Sequence, residues 1–123
     1  MILRHMPNQS AALDDVFHAL ADPTRRAVLQ RLSDGPASVS ELAKPFEMAL
    51  PSFLQHLQVL ETSGLIRSKK AGRVRTCEME PAPLATAETW IAEQRALWEG
   101  RLDRLEIYLK ELQAKEANDG NDA

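Results

Sequence analysis

At 123 residues, 44% hydrophobic and 27% charged, the chain has the size and composition of one globular domain with a modest core, often completed by a second copy of itself. Its apolar runs are too short to span a bilayer, Met1–Ser10 lacks an apolar core of signal-peptide length, and the single cysteine, Cys77, excludes an intrachain disulfide or a cysteine-rich metal cluster within one chain. The net charge of -3 hides five bases and no acid between Thr62 and Cys77, against ten acids and five bases after residue 79; with screening over roughly 8 Å, a ligand at the basic run feels it more than the distant acids, so a nucleic-acid partner is not excluded. A soluble cytoplasmic protein is expected, with no membrane partner.

Residues 1–10 read as a flexible tail. Leu13, Val16, Phe17 and Leu20 recur at helical spacing, predicting a helix over Ala11–Ala21 in which Asp14 and Asp15 are solvated first-turn acids. Asp22-Pro23 supplies a capping side chain and a proline at the first helical position, and the next helix runs to a stop at Gly35. Ser38 and Glu41 stand at capping-box spacing and open a third short helix that ends near Pro45.

The next segment, ALPSFLQHLQVLETSG, carries no charge up to Leu60. On a wheel of about 100° per residue, Phe53, Leu57, Leu60 and Gly64 share a narrow stripe, while Pro51, Gln55, Gln58 and Thr62 fall opposite. Two such helices joined by a short turn predict a helix-turn-helix. LIRSKK and VRTCEM around Ala71-Gly72-Arg73 then predict a β-hairpin wing with a basic tip. Leu84–Glu116 predicts a long helix whose apolar stripe (Trp90, Ile91, Leu97, Trp98, Leu102, Leu105, Leu109, Leu112) exceeds what a small core covers, and residues 117–123 read as a second tail. The expected fold is mainly α with a small hairpin, a single winged helix-turn-helix domain over 1–123. Residues 38–79 would bind DNA and residues 84–116 would dimerise.

The segments ALADPTRRAVLQRL, SVSELAKPFEM, PSFLQHLQVLETSGLI and the hairpin around AGR resemble the arsenic-repressor (ArsR/SmtB) family of bacterial winged-helix transcription factors, from about Val16 to Leu109. WIAEQRALWEGRLDRLEIYL is similar to a branch of that family without the familiar metal sites. The resemblance implies a homodimer joined by its first and last helices, with Leu13, Phe17, Trp90, Leu97, Trp98, Leu102, Leu105 and Leu109 at the interface, that represses transcription from a double-stranded DNA operator. In metal-responsive relatives two thiolates stand in the helix-turn-helix; here Glu41-Leu42-Ala43-Lys44-Pro45 occupies that place, and the long helix has no histidine. His5, His18, His56 and Cys77 form no HxxxH or CxxC cluster, so neither metal nor cofactor is expected.

The DNA-binding set is Ser40, Pro51, Ser52, Leu54, Gln55, His56, Gln58, Lys69, Lys70, Arg73 and Arg75. The four wing bases suit phosphates or a minor groove, with Arg73 at the tip; Gln55 and Gln58 suit adenine edges, and Leu54 a thymine methyl. His56 lies at the edge of the buried stripe, where packing with one hydrogen bond is its alternative role. Cys77 reads as a half-buried strand residue or a redox switch. In relatives Leu50, Leu54 and Gln55 commonly give way to Gln, Ser and Lys or Arg, and Ala49 to a Ser cap. No Gly-rich phosphate loop or nucleophile elbow points to an enzyme. The alternative readings are a winged-helix protein-interaction module with little DNA affinity, or a metal or redox sensor of the same family.

Overall fold

A computed structural model of the chain describes residues 7–121, with side chains from residue 11 to residue 118. His5 and the ends of both expected tails lie outside the described residues. Among the described residues the order is α1 (Pro7–Leu20), α2 (Pro23–Leu32), β1 (Ala37–Ser38), α3 (Val39–Ala43), α4 (Leu50–Thr62), β2 (Ile66–Ala71), β3 (Val74–Met79) and α5 (Ala82–Asn121). No helix among them is long and apolar enough to cross a membrane.

The helix boundaries follow from local chemistry. The Asp22 carboxylate accepts from the Arg25 amide at 3.0 Å and Pro23 opens α2, so one orphan donor is satisfied and another is absent. Ser38 and Glu41 form the reciprocal capping box, at 3.1 and 3.2 Å. At the end of α4 the Leu65 amide reaches the Leu60 carbonyl (3.1 Å) and the Gly64 amide the Glu61 carbonyl (2.9 Å). That is a Schellman stop, and it requires the left-handed φ of +79° that Gly64 adopts.

Two helices outrun the expectation. α1 begins at Pro7, not Ala11, because a proline is as well placed at a first helical position there as in α2. α5 continues to Asn121 through residues read as a tail; Ala114, Lys115, Glu116 and Ala117 are good helix formers, so nothing stops it at Glu116.

β1 is a correction. At two residues it is too short to leave a periodic signal, yet Ala37 pairs with Cys77 and Ser38 with Thr76, giving an antiparallel sheet in the order β1-β3-β2. The β2–β3 register runs from Ile66↔Met79 to Ala71↔Val74. Gly72 begins the two-residue turn with φ +62°, a conformation a glycine takes without strain.

The chain divides into two compact units, Met1–Ala87 and Glu88–Ala123. In the first, Val16, Val28, Leu42, Phe53, Leu57, Leu60, Leu65, Ile66 and Cys77 are nearly or fully buried, and Phe46 stacks on Phe53 with centroids 5.4 Å apart. Leu13 and Phe17, expected at a dimer interface, are half-buried against this core. The second unit is helical, and Leu97, Trp98, Leu102, Leu105, Leu109 and Leu112 on it are exposed.

Candidate nucleic-acid interface

Burying Phe53, Leu57 and Leu60 turns the opposite face of α4 outward. Pro51, Ser52, Leu54, Gln55 and Gln58 are exposed, as is Leu50 at 55%. Ala49 makes no side-chain cap bond, and Ser52 makes none in its place. A groove between the start of α3, the first turns of α4 and the hairpin tip is lined by Ser40, Leu50, Leu54, Arg73, Val74 and Arg75. It draws four residues of the expected DNA-binding set together with Leu50 and Val74, which that set left out. An exposed apolar residue beside a glycine turn gives no signal in a sequence, so Val74 was not legible there. Gln58 faces elsewhere: it lines a separate depression between α1 and α4 with Asp15, His18 and Val59, and its amide reaches Thr62 Oγ1 at 3.4 Å.

Two of the five bases in the acid-free 62–77 run meet acids in space. Strand pairing sets Arg67 opposite Glu78, where the guanidinium donates to Glu78 Oε1 at 2.6 Å and approaches Glu80 at 3.3 Å. The bond from Arg67 holds the Glu78 carboxyl below the usual carboxylate range, and the same bond raises the guanidinium. Arg75 stands directly opposite Lys70, a like-charge pairing that is unfavourable by itself. Glu61, in the last turn of α4, relieves it by accepting from Arg75 Nη2 and from the Ser68 hydroxyl, while Arg75 Nε donates to Ser68 Oγ at 2.9 Å. Arg75 is thus half-buried and bonded within the protein, while still lining the groove. Lys69, Lys70 and Arg73 are exposed and make no ion pair among the described residues.

His56 also turns inward. Its Nδ1 lies 3.1 Å from Arg25 Nη1 and 3.7 Å from Asp22 Oδ2. Arg25 itself is 8% exposed, donating from Nε to the Ala19 carbonyl (2.8 Å) and from Nη2 to the His18 carbonyl (2.9 Å), while Arg26 reaches the Leu20 carbonyl (2.7 Å). Together the two arginines satisfy carbonyls that the end of α1 leaves without helical partners. The LADPTRR segment is therefore a joint: Asp22 caps α2, the arginines cap α1, and Arg25 ties both to α4 through His56. Burial pushes the Asp22 carboxyl up, but the bonds from the Arg25 and Thr24 amides and the neighbouring Arg25 guanidinium help outweigh it and leave the group below its usual range. Through Nδ1, His56 thus ties α4 to the joint between α1 and α2.

Cys77 is fully buried on β3, not half-buried, and burial pushes its thiol up, so little thiolate is present to react. Among the described residues, no three His, Cys, Asp or Glu side chains converge on a point that would hold a metal.

The family description of a helix-turn-helix domain matches residues 20–69. The HTH-type transcriptional regulator Rv2034 of Mycobacterium tuberculosis (strain ATCC 25618 / H37Rv) is 42% identical over 76 residues, covering 62% of this chain and 71% of that protein. The transcriptional repressor SdpR of Bacillus subtilis (strain 168) is 28% identical over 79 residues, 64% of this chain and 88% of that protein. The crystal structure of an ArsR family transcriptional regulator matches with a TM-score of 0.71 at 63% identity, covering 73% of this chain and 93% of the other.

Proposed function

Because this chain belongs to the ArsR family of transcriptional regulators, we propose that it is a homodimeric repressor that reads an inverted-repeat operator through α4 and the wing. The groove shared by α3, α4 and the hairpin tip carries this reading, since it places the outward face of a helix-turn-helix beside exposed bases. Lys69, Lys70 and Arg73 hold phosphates and supply salt-dependent affinity, whereas Gln55 on α4 offers a carboxamide to adenine edges. Ser40, Pro51 and Ser52, exposed at the starts of α3 and α4, flank the contact. Arg75 acts indirectly, by holding the wing to α4.

The dimer follows from α5. Trp98, Leu102, Leu105, Leu109 and Leu112 are spaced four, three, four and three residues apart and are 38–61% exposed, the seam a second such helix covers. A two-fold dimer fits half-sites whose centres lie about 10 bp apart, or a multiple. Selection of random duplexes by the purified protein tests this directly. The expected product is a two-fold symmetric site bound by two chains; recovery of no duplex, or of a site without symmetry bound by one chain, would overturn the reading.

A further inference from the structure

Three large apolar side chains stand exposed around the proposed DNA-facing groove: Leu50 at 55%, Leu54 at 37% and Val74 at 54%. Leu50 and Leu54 are one helical turn apart in the first half of α4, and Val74 follows the hairpin tip on the other side of the groove. Residues at i and i+4 share a helix face, so the two leucines present one strip. None of the three belongs to the buried core, and no charge on α4 before Glu61 competes with them for a ligand.

We propose that Leu50, Leu54 and Val74 form an apolar wall that recognises the C5-methyl groups of thymines in the operator, making methyl contact a principal source of sequence choice. The inference rests on the DNA-binding reading above and says what that site selects. In a helix-turn-helix the first residues of the second helix meet base edges. On the major-groove edge of DNA the thymine methyl is the apolar group, alongside donors and acceptors that a leucine cannot satisfy. The rim supports this occupant. Ser40, Arg73 and Arg75 line the same groove, and Lys69 and Lys70 lie on the adjoining strand, so a narrow apolar strip is bordered by hydrogen-bond donors and cations. That complements an apolar group set between phosphates. A protein partner would meet the same positive border with less reason to match it.

The test begins with the duplex selected by the purified, full-length protein. Each thymidine of one half-site is replaced in turn by deoxyuridine, which removes the methyl and leaves every base-pair hydrogen bond intact. Loss of one contacted methyl is expected to weaken binding about fourfold, at one or two positions per half-site, with the other positions unchanged. Leu54→Ala should abolish that sensitivity at its position and Leu54→Met should retain it; at 37% exposure neither change empties the core, and unfolding curves check this. Equal affinity for the thymine and fully uracil-substituted duplexes overturns the methyl wall while leaving DNA binding intact. A selected half-site without thymine does the same. Failure to select any duplex overturns both the wall and the DNA-binding reading, and points to a protein as the occupant of the strip.

Discussion

Arg73 follows Gly72 in a two-residue turn, and that placement gives it a role the other arginines of the run lack. Arg67 and Arg75 are held by Glu78, Glu80 and Glu61, whereas Arg73 is exposed at the tip. Its replacement by alanine should weaken binding on all duplexes alike and reduce the slope of log K against log salt by about one, which titration at several salt concentrations measures. Equal slopes for variant and parent would remove Arg73 from the phosphate contacts. Gln55 makes the opposite prediction. A bidentate amide reads one base pair, so Gln55→Ala should shift preference at particular positions by about 1–3 kcal/mol each. A uniform loss across sequences would reject that role.

Among the elements, α4 and the wing are coupled more closely than their separate motifs suggest. Glu61 accepts from both strands of the hairpin, from Ser68 on β2 and Arg75 on β3, and so fixes the wing against the last turn of α4. The same bonds engage the Arg75 guanidinium within the protein. Glu61→Gln leaves Arg75 a weaker, uncharged partner, so we expect binding on all duplexes to gain about one unit of salt slope while discrimination between operator and random DNA falls. Competition binding at two salt concentrations reads both. An unchanged slope with unchanged discrimination would show that the pair merely solvates the surface. The Arg25–His56 bond likewise ties α4 to the joint between α1 and α2.

For the molecule as a whole, the proposed operator binding requires two copies to act together. The α5 seam carries Trp98, over which the Arg101 guanidinium sits 5.4 Å from the ring centroid, then four leucines at heptad spacing. An acid on that seam would have to be buried without a partner when two helices pair. Leu102→Asp combined with Leu109→Asp should therefore give a monomer by sedimentation and lower affinity for a full inverted repeat by about a hundredfold or more, leaving single half-site binding nearly unchanged. A variant that stays dimeric would place the interface elsewhere.

Local signals in the sequence determined the helices and most of their ends, the start of α1 and the end of α5 excepted. Asp22-Pro23, the Ser38 and Glu41 box, the Gly64 stop and the Gly72 turn each act within a few residues, so their chemistry is written in the order of the chain. The stripe of Phe53, Leu57 and Leu60 likewise specified which face of α4 turns outward. The tertiary structure decided which groups meet. Only folding sets Glu61 on Arg75, Glu78 and Glu80 on Arg67, and Arg25 on His56, leaving three of the five wing cations without an ion pair among the described residues. Folding also carries Val74 to the side of Leu50 and Leu54. Charge balance and surface continuity depend on distance in space, and separations of up to 31 residues along the chain conceal it.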